Sequence, residues 1–184
     1  MKDSLLMYAR YNKRADASVL AILDSLSFEA CLEDRKSFCG SLSSLAKHIL
    51  ESSLYFQGLF RASLPAASAK ALEATAELAI PEGELNAEQW KQAKASIAAI
   101  DQATITLVEG LSEKQCTLPI ALDWYDGKPA SVPFHFIANQ LFVHGTHHRG
   151  QISQILDELG IEHDFSGIDL EFMPAIKTAS NPSD

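Results

Sequence analysis

The sequence predicts an all-α protein: a four-helix bundle with a long crossover connection between helices 2 and 3 and a short hairpin-like excursion before helix 4. Three observations lead there. Apolar residues recur at three- and four-residue intervals through four long segments. Proline and glycine concentrate in the connections between those segments. The length of 184 residues suits one domain, residues 1–184, able to bury about 70% of the surface its unfolded chain would expose.

The first helix is expected from about Asp3 to Leu26, with Leu5, Ala9, Val19, Leu20 and Leu23 on one face and Asn12 and Asp16 on the same side. The second runs from about Ser41, a suitable N-cap, to Phe60, with a stripe of Leu42, Leu45, Ile49, Phe56 and Leu59 and with His48 at its shoulder. Residues 61–84 are Ala-rich and hold Pro65, Pro81 and Gly83. They read as the crossover, with one short helix over Ser68 to Leu78.

A third helix from about Asn86 to Leu111 presents Trp90, Ala93, Ile97, Ile100, Thr104, Val108 and Leu111, with Asp101 on that side. Between Pro119 and Pro133, Asp126-Gly127 within β-prone flanks signals a hairpin lying outside the bundle, with Trp124 and Tyr125 anchoring the loop or lining a pocket mouth. The fourth helix runs from Phe134 to Leu159 and ends at Gly160. Phe165, Ile168, Leu170, Phe172 and Met173 in the tail are suited to covering an open end of the bundle, and residues 174–184 to fraying.

The fourth helix carries the densest chemistry. In His144-Gly145-Thr146-His147-His148-Arg149-Gly150-Gln151, His144 and His148 are four residues apart. On a helix that spacing stacks two imidazoles, with Cβ atoms roughly 5–6 Å apart, so both rings reach one cation. His147 is rotated well away from the arc His144 and His148 share. Two ligands hold a metal poorly, and His48 is the best-placed third. Three imidazoles leave open positions on Zn or Ni, as catalytic sites require, whereas structural zinc is normally closed by four ligands.

Gly145 follows His144 where a zincin protease would carry its glutamate, so that class is disfavoured. Protons must then move through another group. Asp16 is the candidate catalytic residue, bonded to a ligand imidazole or relaying protons; Asp101 is a weaker one. Arg149 points away from the histidine stripe, toward a salt bridge with another helix or the 112–133 connection, and Gly150 is read as permitting close packing of its helix. His135 and His163 are expected to be dispensable for metal binding.

Composition narrows the partners. A net charge of −9 and a pI near 5.1 oppose attraction to a polyanionic backbone, so no nucleic-acid partner is expected. Cys31, Cys39 and Cys116 are three scattered cysteines without C-x-x-C spacing, which argues against a disulfide framework or a thiolate zinc site. No apolar run approaches ~20 residues and no secretory leader is evident, so no membrane partner and a cytoplasmic location are expected.

These residues resemble a known family. His48 on the second helix and His144, His148, Arg149, Gly150 and Gln151 on the fourth match the pattern of the DinB/YfiT-like superfamily of four-helix metalloproteins, and residues 9–16, 45–50 and 167–170 are similar to it as well. The resemblance implies one divalent metal held by the three histidines at one end of the bundle, and a homodimer. It also implies a thiol-dependent transferase or isomerase using a low-molecular-weight thiol such as bacillithiol, mycothiol or glutathione; hydrolysis of a small substrate at the open three-histidine site is the other enzymatic expectation. A noncatalytic metal-binding or interaction protein is the alternative.

Overall fold

The structure, a computed structural model, describes residues 1–122, 128–165 and 167. It is mostly helical. Four long helices dominate: α1 (Lys2–Ser25), α3 (Leu42–Ser63), α5 (Ala87–Gly110) and α6 (Phe134–Glu158). Two short ones, α2 (Phe28–Leu32) and α4 (Ala66–Ala69), lie in connections, and a two-stranded antiparallel sheet joins β1 (Pro119–Leu122) to β2 (Ala130–Pro133).

Local chemistry explains the boundaries. Ser41 Oγ accepts from the Ser44 amide to start α3. Asn86 and Gln89 close a reciprocal capping box at the head of α5, satisfying two otherwise orphaned donors. Gly160, at φ +67, ends α6 in the left-handed conformation that favours glycine. The expected helix over Ser68–Leu78 is shorter, a single α turn followed by a 3₁₀ stretch over Lys70–Thr75. α2, begun by Ser27 accepting from the Ala30 amide, is too short to leave a periodic signature in the sequence.

α1 packs on α5 and α6, and α3 packs on the same two. Each long helix passes from one apolar cluster to another. The first gathers Leu5, Phe60, Leu72, Val108 and Phe134; the second gathers Leu23, Leu45, Trp90, Ile100 and Ile155. Buried polar side chains lie at the changeover: Asn12 and Asp16 on α1, Gln57 on α3, Asp101 and Thr104 on α5, His148 and Arg149 on α6. Gln57 Nε2 donates to Ile100 O and Thr104 Oγ1, and its Oε1 accepts from Thr75, so the Gln57 amide is hydrogen-bonded at both ends, as burial demands.

The hairpin corrects the sequence reading in one respect. It packs on α3 and α6, with Ile120 fully buried and Leu122 nearly so, because the pleat turns these alternate side chains onto one face. Its Asp126-Gly127 turn, with Trp124 and Tyr125, lies outside the described residues, as do Ile168, Leu170, Phe172, Met173 and the terminal stretch 174–184. Cys31, Cys39 and Cys116 are free thiols. No helix among the described residues is long and apolar enough to cross a membrane.

Candidate metal centre

His48 enters from the first half of α3, and His144 and His148 from the middle of α6. One ligand nitrogen from each of the three lies within 4.8 Å of the others. His148 Nε2 and His144 Nε2 are 3.1 Å apart, near the roughly 3.3 Å separation of two imidazole nitrogens bound tetrahedrally to one zinc at 2.0–2.1 Å. His48 brings its ring to 4.5 Å from that of His148 and 5.1 Å from that of His144, centroid to centroid. The site therefore lies on the α3–α6 seam at mid-length of α6, where the resemblance placed it at one end.

His148 is held in a ligating tautomer. Its Nδ1–H donates to Gln151 Oε1 at 2.7 Å, which leaves the Nε2 lone pair facing His144. Hydrogen bonding at the far nitrogen is the usual means by which a protein fixes a ligand imidazole. Burial, followed by the neighbouring imidazoles, pushes His144 down to about 4. Burial lowers His148 too, against an opposing contribution from the Gln151 bond. Both rings are neutral at pH 7, the form that binds a cation, so the donor set fits a divalent ion with imidazole preference. His147 is exposed, and its ring lies beside His148 outside the three-nitrogen cluster.

Asp16 is engaged elsewhere. Arg149 Nη1 donates to Asp16 Oδ1 and to Asn12 Oδ1, both at 2.8 Å, and Asn12 Nδ2 donates to Asp16 Oδ2 and Asp101 Oδ1, both at 3.0 Å. The imidazole partner expected of Asp16 is instead Gln151. Arg149, only 2% exposed, makes its expected salt bridge to another helix, α1, and lies over the Tyr11 ring. Burial pushes Asp101 well above the usual carboxylate range and the adjacent Asp16 pushes it further. Burial raises Asp16 as well, against the lowering by the Arg149 guanidinium, so the buried pair favours holding a proton over carrying two negative charges.

Glycine in the motif has a different place from the one read in sequence. A Cβ at Gly150 would meet nothing within 4 Å, whereas one at Gly145 would lie 3.0 Å from both Arg149 Nη1 and Asn12 Oδ1. Gly145 is the residue that lets the Arg149 side chain run back along α6 to α1.

Two features escaped sequence reasoning. Gln151 follows His148 by three residues, the helical spacing that brings side chains together, so its role was legible in principle. Phe38 was not. It stands 77% exposed with its ring centroid 6.0 Å from that of His48 and 6.1 Å from that of His148. A tight turn carries it: Lys36 adopts φ +57, Asp34 Oδ1 accepts from the Lys36 amide, and the Gly40 amide donates to Ser37 O. His135 and His163 lie apart, the former at Cys116 O and the latter between Ser153 and Asp157.

No curated protein and no solved structure shows a significant match to the chain. The DinB family model matches residues 1–171, a span that includes α1 through α6 and all three clustered histidines. Nearly the whole chain is thus accounted for by one family description, and the protein belongs to the DinB family.

Proposed function

We propose that the four long helices form a bundle that holds one divalent cation, Zn or Ni, on His48, His144 and His148, and that the protein is a metal-dependent enzyme acting on a small molecule. The observation that carries this is the convergence of three imidazole nitrogens within 4.8 Å. When bound, such an ion with open positions lowers the pKa of a thiol or water ligated to it, which suits transfer of a low-molecular-weight thiol to an electrophile or hydrolysis of a small substrate.

The chain's own residues divide the remaining work. Gln151 orients His148, and depressed basicity keeps His144 and His148 available to the cation. Phe38 bounds the approach to the site. Asp16 serves as a positioning residue: its carboxylate holds Arg149, and through it the stretch of α6 that carries both histidines, against α1. The net charge of −9 supports a small-molecule substrate over nucleic acid, and a homodimer in the cytoplasm is the setting we assign.

Elemental analysis after gentle purification, joined to a screen of thiols against electrophiles and a hydrolase panel, tests the reading. One metal per chain, lost in His48→Ala/His144→Ala together with turnover, is the expected result. Stoichiometric metal retained by that double variant overturns the site. Metal-replete protein silent in every assay leaves the noncatalytic metal-binding alternative in its place.

A further inference from the structure

A groove of about 690 Å³ lies between α3, α6 and the hairpin, lined by Tyr55, Phe56, Leu122, Val132, Phe136, Ile137 and Gln140. Its volume is that of a small-molecule site, and its lining, aromatic and aliphatic with one amide, one phenol hydroxyl and no charged side chain, is the kind that accepts apolar matter. Phe136 is 60% exposed and Tyr55 also lies open to solvent, so the apolar surface is not consumed by packing.

The groove adjoins the histidine cluster without including it. On α6, Phe136, Gln140 and His144 follow one another at four-residue spacing, so they stack along one face at roughly 6 Å per step. On α3, Tyr55 and Phe56 lie two turns beyond His48, on the same side. Phe56 joins the two regions, its ring edge-on to that of His144 at a centroid distance of 6.4 Å. A molecule whose head sits at the three histidines would therefore have the apolar groove roughly 6–12 Å along the helix axis from it, within reach of a tail of about five to eight carbons.

We propose that this groove takes the uncharged apolar tail, aliphatic or aromatic, of the molecule whose head group the metal centre binds, with Phe56, Phe136 and Leu122 selecting the tail. The assignment rests on the proposed metal centre for the head and on the groove alone for the tail. It makes the substrate class an amphiphilic small molecule, with a metal-seeking polar end and no charge along the first several carbons.

The test is a homologous series of straight-chain hydroxamic acids, from acetohydroxamate to octanohydroxamate, titrated calorimetrically onto zinc-loaded and metal-free full-length protein. In the loaded protein, affinity rises roughly three- to fourfold per added methylene until the groove is filled. Phe136→Ser and Tyr55→Ser, both at exposed positions and so compatible with folding, flatten that dependence relative to acetohydroxamate on the same variant. Metal-dependent binding with no dependence on tail length overturns the groove assignment and leaves the metal centre standing. Tail-length dependence that is the same with and without zinc keeps the groove and overturns the metal centre as the head-group site. If a second copy of the chain fills the groove, tail length has no effect and Phe136→Ser instead shifts the oligomeric state in sedimentation, which also overturns the proposal.

Discussion

Gly145 and Arg149 are fitted to each other: any side chain at position 145 would begin 3.0 Å from the Arg149 Nη1 that bonds Asn12 and Asp16. Neither neighbour is free to give, because each is tied to the other and to α1. Gly145→Ala therefore lowers stability by about 1–2 kcal/mol even though it gains about 1 kcal/mol of helix propensity. Gly150→Ala, five residues along the same helix with nothing within 4 Å of the new methyl, raises stability by up to about 1 kcal/mol. Paired chemical denaturation curves read the opposite signs directly.

The Asp16–Asp101 pair predicts an asymmetry between two chemically identical substitutions. Asp101 is raised well above the ordinary carboxylate range, chiefly by burial and then by Asp16, so Asp101→Asn, which puts a neutral side chain of the same shape there, is expected to cost less than about 1 kcal/mol. Asp16→Asn or Arg149→Met leaves a buried charge unpaired and costs about 3–5 kcal/mol. Because burial and Asp16 raise Asp101 in the fold while the unfolded chain releases its proton near the ordinary value, wild-type stability from this group declines as pH rises from about 4 through the raised folded pKa. Asp101→Asn lacks that decline, so its stability relative to wild type improves with pH. A difference between the two proteins that is flat in pH contradicts the upward shift of Asp101.

What the sequence made legible follows physical range. The four long helices and their caps are local and periodic, so Asn86, Ser41 and Gly160 announced their boundaries, and the i, i+4 histidines announced a shared face. Long-range placements were not encoded locally. Nothing around Arg149 says that its partner is Asp16 on α1, 133 residues away, and nothing around Ile120 says that the hairpin face is buried. Phe38 sits on a turn whose direction depends on a positive φ at Lys36, an unusual conformation for a non-glycine residue, so the ring's position over the histidines has no periodic signature. Asp16 was read correctly as buried, while the partner assigned to it depended on the packing angle between α1 and α6.

Metal-free protein should lose stability in mild acid. His144 titrates near 4 in the fold and near 6.5 when unfolded. Between those values the unfolded chain binds the extra proton, so folding stability falls as pH drops from about 6.5 toward 4. His144→Phe removes this contribution, and its stability changes less across the same window. Denaturation midpoints at half-unit pH steps on metal-free samples check the slope. Equal slopes for the two proteins place the ring in water rather than in the protein.

Phe38 should act on the metal and hardly at all on the fold. Its side chain is mostly solvated, so Phe38→Ala changes stability by under about 0.5 kcal/mol. Its ring nonetheless covers one side of His48 and His148. Removing that cover opens a path for water and chelator, and stopped-flow transfer of zinc to a chromophoric chelator should run several-fold faster than in wild type. Unchanged transfer rates mean that the ring guards no route to the site.

The order of metal affinities among single variants follows from which nitrogen each ring can offer. His148 directs Nε2 into the cluster because Gln151 accepts the proton on Nδ1. His148→Ala therefore loses a ligand outright, whereas His147→Ala, at an exposed position outside the three-nitrogen set, leaves zinc affinity within about twofold of wild type. Gln151→Ala falls between them. It keeps all three imidazoles but frees His148 to rotate or to place its proton on Nε2, and loss of such an orienting partner typically costs 10–100-fold in metal affinity. Gln151→Glu retains an acceptor at the same reach and should restore most of that loss, since a carboxylate makes the imidazole a stronger donor. Competition titrations against a zinc chelator on the four variants settle the ranking. Equal affinities for Gln151→Ala and wild type would mean that His148 is held by packing alone, and weaker binding by His147→Ala than by His148→Ala would move the third ligand to the neighbouring ring.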